Sequence, residues 1–116
     1  MIGIGIDAVD IPRFAEMLER RPGMRERLFT SAELERPAAQ SLAARFAAKE
    51  AAMKALGVGL GAFGFHDVSV ARAESGMPSL VVVGRAADLA SEAGVTGWRV
   101  SLTHTDTVAQ AVVVAL

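Results

Sequence analysis

Ser41-Leu-Ala-Ala-Arg-Phe-Ala-Ala-Lys-Glu-Ala-Ala-Met-Lys-Ala-Leu56 has the clearest helical period in the chain, and it holds both lysines of the protein. Ser41 is a good N-cap, alanine fills the spacer positions, and Gly57 can end the helix in a left-handed conformation. With about 3.6 residues per turn, one side of this helix collects the large apolar side chains that usually face a core, namely Leu42, Phe46, Met53 and Leu56. The sequence therefore predicts a helix over residues 41–56.

Two charged residues of this helix do not fit a scaffold that only packs. Lys49 emerges inside the apolar stripe, although its aliphatic stem can extend to water from there. Glu50 points to a face of small residues that also holds Lys54, and the two could form an ordinary i, i+4 pair worth about 0.2–0.5 kcal/mol. The alternative is that both faces of the helix meet a ligand or a partner. The residues alone support a structural and a phosphate-handling role about equally.

Residues 2–11 alternate as a β-strand does, with isoleucines on one face and Gly3, Gly5 and Asp7 on the other. A carboxylate beside two glycines stands where a second backbone, a ligand or a metal can approach closely. Asp7 could instead hydrogen-bond a neighbouring turn, and the strand by itself favours that structural interpretation.

The composition restricts the class of protein. The chain has 116 residues, of which 52% are hydrophobic and 22% charged, and this predicts one folded domain over residues 1–116. A net charge of −1 gives no global field that would attract nucleic acid. The absence of cysteine suits a reducing compartment, and neither a signal peptide nor a membrane-spanning apolar run is visible. We therefore expect a cytoplasmic protein with no nucleic acid and no membrane as partner.

The remaining patterns predict an alternation of helices and strands. The helices are expected at residues 12–20, 24–28, 30–36 and 84–93, and the strands at 65–71, 80–83, 98–104 and 108–116. The four strands pair in sequence order as two hairpins. The last strand is apolar on both faces and should lie at the centre of its sheet. Thr30 and Glu33 have the spacing of a capping box, which we interpret as structural.

The residue types favour hard-metal and phosphate chemistry. Gly3 to Ala8 formally matches a dinucleotide-binding fingerprint, but it lies within a strand instead of opening a helix. Two histidines and no cysteine disfavour zinc. Asp7 and Glu50 would suit Mg²⁺, which keeps waters and shares its remaining positions with substrate phosphates. The cations that would then surround a polyanion are Arg45, Lys49 and Lys54.

Two further features stay open between a structural and a functional role. The first quarter of the chain concentrates five arginines, which form either a solvated face or a dock for an acidic partner: Arg13, Arg20, Arg21, Arg25 and Arg27. His104 ends a predicted strand beside several hydroxyl groups. A histidine in such a place is more often a satisfied structural group than a catalyst.

Three motifs occur in an order that is typical of one enzyme family. They are Gly3-Ile-Gly-Ile-Asp-Ala-Val-Asp-Ile-Pro-Arg13, Arg45-Phe-Ala-Ala-Lys-Glu-Ala-Ala-Met-Lys-Ala-Leu-Gly57 and Ser101-Leu-Thr-His104. With shorter matches at residues 29–33, 66–68 and 76–78, they make the chain similar to the short holo-acyl carrier protein synthases. These belong to the 4′-phosphopantetheinyl transferase superfamily. The chain departs from the family pattern at Val58, where a Gly-Thr-Gly loop is common, and at Thr105-Asp106.

The resemblance implies an α+β fold with helices packed on an antiparallel sheet, and a homotrimer with coenzyme A bound between subunits. It implies Mg²⁺-dependent transfer of the 4′-phosphopantetheine group from coenzyme A to a serine of apo-acyl carrier protein, which releases adenosine 3′,5′-bisphosphate. The first alternative is a non-catalytic coenzyme A or nucleotide-binding module on the same scaffold. A purely structural interaction domain is a third hypothesis.

The same resemblance implies roles for particular residues. Asp7 and Glu50 would hold Mg²⁺ against the pyrophosphate, and Lys54 would stabilise or protonate the leaving phosphate. The serine proton would go to Glu50 or to a metal-bound water. The residues expected to contact the coenzyme are Arg45, Lys49, Gly57, Gly59, His104 and Thr105. The residues expected to dock the carrier protein are Arg13, Arg20, Arg21 and Arg25.

Overall fold

The structure is a computed structural model that describes residues 1–116. In chain order its elements are β1 (Gly3–Asp10), α1 (Ile11–Arg20), α2 (Met24–Leu28), α3 (Ser31–Leu34), α4 (Ala39–Ala55), β2 (Val68–Arg72), β3 (Pro78–Val82), α5 (Gly84–Glu92), β4 (Trp98–His104) and β5 (Val108–Ala115). None of these helices is both long and apolar enough to cross a membrane. The α+β class expected from the sequence is confirmed.

The strands form two antiparallel sheets. The first has the order β1-β5-β4, and the second is the β2–β3 hairpin. β5 is the central strand, as its apolar residues on both faces predict. The predicted strand over residues 65–71 is wrong at its start, because Phe65–Asp67 form a 3₁₀ turn before β2. There the Asp67 carboxylate accepts a hydrogen bond at 3.2 Å from the Ala86 N–H in the first turn of α5.

α4 lies against β1 and β5 through its alanines, several of which are fully buried: Ala43, Ala47, Ala51 and Ala52. The alanine side of this helix therefore packs on the sheet, and Glu50 and Lys54 lie at its border. Two glycines of β1 make this close approach possible. A Cβ added at Gly3 would lie 2.0 Å from the carbonyl oxygen of Ala55, and one added at Gly5 would lie 1.9 Å from that of Ala51. No side chain fits at either position.

The two ends of α4 differ in how well the sequence predicts them. The helix begins at Ala39, earlier than predicted, so Ser41 is not its N-cap. The Ser41 hydroxyl instead accepts a hydrogen bond from Arg45 Nη1 within the helix. The C-terminal end is as predicted, because Gly57 has a φ of 69° and its N–H donates to the Lys54 carbonyl at 3.0 Å.

The predicted capping box at the start of α3 is confirmed. Thr30 Oγ1 accepts a hydrogen bond from the Glu33 N–H at 3.3 Å, and the Glu33 carboxylate accepts one from the Thr30 N–H at 3.1 Å. The Glu33 side chain is nevertheless almost completely buried. A carboxylate that only caps a helix does not need such burial, so Glu33 must have further partners.

The face of the three-stranded sheet opposite α4 is open at its isoleucines. Ile2, Ile4 and Ile6 are 51%, 56% and 61% exposed. The register pairs Ile4 with Val114 and Ile6 with Val112, so the apolar surface continues onto β5. We call these three isoleucines and two valines the outer sheet face.

Candidate active site

Asp7, Glu50 and Lys54 meet where β1 contacts α4. The Asp7 side chain lies on the strand face that α4 covers and is 15% exposed. Lys54 Nζ lies 3.1 Å from Asp7 Oδ1 and donates to the Ile6 carbonyl at 2.9 Å. Glu50 is one helical turn before Lys54 and therefore lies on the same side of α4. The structure thus brings together the three residues for which the sequence predicts a catalytic role.

The electrostatics of this group favour a bound cation. Burial raises the pKa of Glu50, the negative charge of Asp7 and a hydrogen bond with it raise the pKa further, and Lys54 opposes the shift. Two carboxyl groups in one poorly hydrated place are stabilised by a proton or a cation between them. Their oxygens are the donors that Mg²⁺ prefers, and no third His, Cys, Asp or Glu joins them. The residues fit a Mg²⁺ ion that would take its remaining ligands from water and substrate.

A second group of charges lines a cleft of about 410 Å³ elsewhere on α4. Arg45 is only 4% exposed there, and its Nε has no hydrogen-bond partner. Arg36 and Arg72 line the same cleft, and we call Arg36, Arg45 and Arg72 the arginine cluster. Burial lowers the pKa of Arg45, and the positive charges of Arg72 and Arg36 add to this against the opposing charge of Glu33. Arg72 Nη1 donates to the Gly76 carbonyl at 2.8 Å, and its other N–H groups have no protein partner. Three arginines that line one cleft, one of them with an unpaired buried donor, can bind a phosphate.

His104 lies at the edge of the arginine cluster. It lines an adjoining cleft of about 270 Å³ together with Arg36 and Arg72, and its Nδ1 lies 3.1 Å from the Thr105 carbonyl oxygen. The structure therefore places His104 and Arg45, both predicted coenzyme ligands, in neighbouring clefts. Sequence reasoning missed Arg36 and Arg72, because each is a single arginine outside any recognised motif. Their positive charge was the only feature of the sequence that could have marked them as phosphate-binding residues.

Lys49, predicted as a coenzyme ligand, is not at the surface, and that assignment is corrected. Its Nζ donates to Glu33 Oε1 at 2.8 Å, to the Phe65 carbonyl at 2.9 Å and to the Val68 carbonyl. An ammonium group has three donors, so none remains for a phosphate. Burial lowers the pKa of Lys49, and the hydrogen bond to Glu33 opposes that shift. Lys49 is fully buried and does not extend to water.

The other predicted coenzyme contacts lie in exposed loops. Gly57 and Gly59 are exposed after α4, and nothing lies within 4 Å of a Cβ built at either position. Thr105 is exposed as well, and its Oγ1 accepts hydrogen bonds from the N–H groups of Thr107 and Val108 at 3.2 and 3.1 Å. Thr105 therefore shapes the turn between β4 and β5, and a ligand role for these three residues stays a prediction.

The arginines predicted to dock an acidic partner are exposed on α1 and in the segment after it: Arg13, Arg20, Arg21 and Arg25. We call these four residues the basic surface. Arg13 and Arg20 line a shallow cleft of about 400 Å³ that also includes Ala8 of β1. Ala8 follows Asp7 on β1, but its side chain lies on the opposite face of the strand, and none of Asp7, Glu50 and Lys54 lines this cleft.

Comparison with known proteins defines the class to which this chain belongs. The family model of the 4′-phosphopantetheinyl transferase superfamily matches residues 3–113. The chain is 50% identical to the holo-[acyl-carrier-protein] synthase of Streptomyces griseus subsp. griseus over 120 residues, which cover 99% of this chain and 98% of the relative. It resembles the crystal structure of Helicobacter pylori holo-[acyl-carrier-protein] synthase in complex with coenzyme A, with a TM-score of 0.88 and 29% identity. That match covers 97% of this chain and 99% of the other.

The chain belongs to the 4′-phosphopantetheinyl transferase superfamily. Within it, the similarity to holo-[acyl-carrier-protein] synthases extends over nearly the full length. The protein of that name from Frankia casuarinae is 48% identical over 117 residues, which cover 99% of this chain and 97% of the relative. The family resemblance inferred from the three sequence motifs is therefore confirmed.

Proposed function

We propose that this protein transfers the 4′-phosphopantetheine group of coenzyme A to a serine of an apo-acyl carrier protein. The observation that carries the proposal is the convergence of Asp7, Glu50 and Lys54, because these groups suit chemistry on a pyrophosphate. The relatives of the chain are named for this activity, and one solved relative is in complex with coenzyme A.

The reaction requires a hydroxyl group to attack the β-phosphorus of a pyrophosphate. The serine oxygen forms a bond to that phosphorus, the bond to the bridging oxygen breaks, and adenosine 3′,5′-bisphosphate leaves. Lys54 faces the leaving phosphate and stabilises or protonates it. The serine proton would pass to Glu50, whose carboxylate lies on the same side of α4 as Lys54.

Mg²⁺ is the proposed cofactor, held by Asp7 and Glu50. When bound, the ion supplies charge neutralisation and alignment of the pyrophosphate. The absence of a third protein carboxylate leaves coordination positions for substrate oxygens, which suits an ion shared with phosphates. Lys54 then acts beside the ion on the phosphate that departs.

The remaining phosphates of the coenzyme, including its 3′-phosphate, are assigned to the arginine cluster and His104. Arg45 and Glu50 are five residues apart on α4, which places them about 140° apart around the helix. The two parts of the site therefore lie on different faces of α4. One coenzyme molecule reaches both parts most directly when it lies between two copies of the chain. This geometry supports a coenzyme site between subunits.

Copies of the chain would pack through the outer sheet face, and the family resemblance implies three copies. An exposed apolar surface of contiguous isoleucine and valine side chains is typical of a protein–protein interface. α4 already covers the other face of the same sheet, so the outer sheet face is the one left for a partner.

Ile4→Glu is expected to dissociate the homotrimer, because three carboxylates would enter an apolar interface without partners. Light scattering after gel filtration should give three times the 12.1 kDa chain mass for the parent and one chain mass for the variant. Leu60→Glu is the matched control, since Leu60 is 74% exposed in the loop after α4 and should leave the mass unchanged. A parental protein of one chain mass would contradict the trimer.

The basic surface is the proposed dock for the carrier protein, which must present its serine to the β-phosphorus. Arg13 and Arg20 line one cleft with Ala8, the residue that follows Asp7 on β1, so the proposed dock is near the reacting groups along the strand. Exposed arginines of this kind orient and attract an acidic partner more than they hold it.

Replacing Arg20 and Arg21 together with alanine should raise the KM for the carrier by roughly three- to tenfold, or about 0.3–0.7 kcal/mol for each exposed charge. The KM for coenzyme A should stay within the error of the assay, because both residues lie outside the two coenzyme clefts. Arg85→Ala on α5 is the control, since it removes another exposed arginine from a different surface. Equal rises in both KM values would contradict the docking assignment.

The transfer itself is tested by mass. The protein, coenzyme A, Mg²⁺ and an apo-carrier protein are mixed, and the carrier should gain the mass of one 4′-phosphopantetheine group. A carrier mass that stays unchanged across several carriers would contradict the enzyme function. Retained binding of coenzyme A would then identify a non-catalytic binding module.

The proposed surroundings of this reaction are the cytoplasm and its small acidic carriers. A chain without cysteine suits that reducing compartment. The net charge of −1 gives no general attraction to nucleic acid, so coenzyme A, the carrier and copies of the chain are the proposed partners.

A further inference from the structure

Glu33 and Lys49 form an ion pair that the proposed reaction does not use. The distance from Lys49 Nζ to Glu33 Oε1 is 2.8 Å, and the two side chains are 0% and 1% exposed. The ammonium group also lies 5.6 Å from the centre of the Phe29 ring. Removing two charges from water this completely is costly, and an apolar pair of similar volume would often stabilise a fold as well. Stability alone therefore does not account for this buried pair.

The Glu33 carboxylate joins three elements of the fold. Oε1 accepts hydrogen bonds from the Thr30 N–H at 3.1 Å, at the start of α3, and from Lys49 on α4. Oε2 accepts one from the Val70 N–H at 3.1 Å, in the middle of β2. Since hydrogen bonds are directional, this one carboxylate fixes the relative positions of α3, α4 and β2.

One member of the arginine cluster lies on or next to each of these three elements. Arg36 lies two residues after the end of α3, and its N–H donates to the Glu33 carbonyl at 3.2 Å. Arg45 lies one helical turn before Lys49, and Arg72 lies two residues after Val70. Thr30, Glu33 and Val70 also line the cleft that the three guanidinium groups share.

Like charges that converge on one cleft repel each other and separate unless the backbone holds them. The carboxylate of the anchor has to be hydrogen-bonded by groups other than the arginines, because a carboxylate bound to them directly would compete with the ligand. Glu33 meets this requirement, since its carboxylate oxygens accept from Thr30, Lys49 and Val70 while Arg45 makes no salt bridge.

We propose that Glu33 and Lys49 are positioning residues, which hold the three guanidinium groups of the arginine cluster at the spacing that a phosphate monoester requires. The proposal rests on the proposed function, in which this cluster receives the 3′-phosphate of the coenzyme. It assigns the buried pair to ligand discrimination, and not to the phosphoryl transfer step.

The test compares two nucleotides that differ in one phosphate. Titration calorimetry on the full chain gives the Kd for adenosine 3′,5′-bisphosphate and the Kd for adenosine 5′-monophosphate. The ratio of the monophosphate Kd to the bisphosphate Kd measures recognition of the 3′-phosphate. Glu33→Gln should reduce this ratio about tenfold, because the loss of one charge-assisted anchor loosens all three arginines. The Kd for the monophosphate and the kcat at saturating coenzyme A should stay within about twofold. A general loss of stability would lower the active fraction and leave the ratio unchanged.

Two matched variants complete the design. Glu92→Gln makes the same change at an exposed carboxylate of α5 that lines neither coenzyme cleft, and it should leave the ratio at the parental value. Thr30→Ala removes only the hydroxyl that contacts Glu33 and leaves the ion pair intact, so it keeps the test available if Glu33→Gln does not fold. It should reduce the ratio by about two- to threefold. A folded Glu33→Gln protein with the parental ratio would overturn the proposal, as would an unchanged ratio for Thr30→Ala when Glu33→Gln is unfolded.

Arg72→Gln distinguishes the positioning role of Glu33 from phosphate binding by the arginine cluster itself. If Arg72→Gln lowers the ratio and Glu33→Gln does not, the arginine cluster binds the phosphate and only the positioning role is wrong. If neither variant changes the ratio, the 3′-phosphate does not bind at the arginine cluster, and the proposed coenzyme site is wrong with it.

Discussion

Glu50→Gln is expected to lower the rate of phosphopantetheine transfer by about 10²–10⁴-fold while the protein stays folded. The substitution keeps the shape of the side chain but removes the charge that would bind Mg²⁺ and accept the serine proton. The fold should survive, because burial and the neighbouring Asp7 already disfavour the charged form of Glu50. An amide of the same size relieves that repulsion.

The rate is measured by following the mass of the carrier protein, and folding by thermal unfolding of the variant and the parent. Glu92→Gln on α5 is the matched control, because it makes the same change at an exposed carboxylate far from β1. A Glu50→Gln protein that turned over at the parental rate would show that the assignment of Asp7 and Glu50 to Mg²⁺ is wrong.

Gly5→Ala is expected to destabilise the protein by about 3 kcal/mol or more, which is enough to unfold much of a marginally stable domain. The added Cβ would lie 1.9 Å from the Ala51 carbonyl oxygen and 2.8 Å from the Ala55 nitrogen. Both are backbone atoms of α4 and cannot rotate away. The helix would have to shift from the sheet along the contact that buries most of its alanines.

Urea unfolding measures this effect as a change in the free energy of unfolding. Gly59→Ala is the control, since it adds the same methyl group at a glycine with open space around it. It should change stability by less than about 0.5 kcal/mol. If Gly5→Ala unfolded at the same urea concentration as the parent, the close contact between β1 and α4 would be wrong.

The sequence predicts those parts of the fold that depend on a pattern along one element. The helical period and Gly57 predict the body and the C-terminal end of α4, and the run of apolar residues predicts the central position of β5. The N-terminal end of α4 is predicted less well, because Ser41 bonds to Arg45 inside the helix and the chain enters the helix at Ala39.

The use of the faces of α4 could not be predicted, because it depends on elements distant in sequence. The alanine face is as buried as the Leu42 and Met53 stripe, since Gly3 and Gly5 let the sheet approach it. The prediction that Lys49 contacts the coenzyme is wrong for the same reason. The Lys49 partner, Glu33, lies on another helix, where a capping box explains its presence locally and hides its second role.

The candidate site divides in a similar way. Asp7 and Glu50 could be found because each interrupts a local pattern, one a strand face with glycines and the other a face of alanines. Arg36 and Arg72 interrupt nothing, since a single arginine in a loop or at a strand end is ordinary. They become a site only when α3 and β2 bring them beside Arg45.

The contact between Gly5 and the Ala51 carbonyl also sets the distance between the two carboxylates of the site. Asp7 lies two residues after Gly5, and Glu50 directly precedes Ala51, so the separation of the two carboxylates depends on main-chain atoms already in contact. Exchanging one large core residue for another changes side-chain packing but leaves this main-chain contact in place. The chemistry of the site can therefore stay constant while the hydrophobic interior around it diverges in sequence.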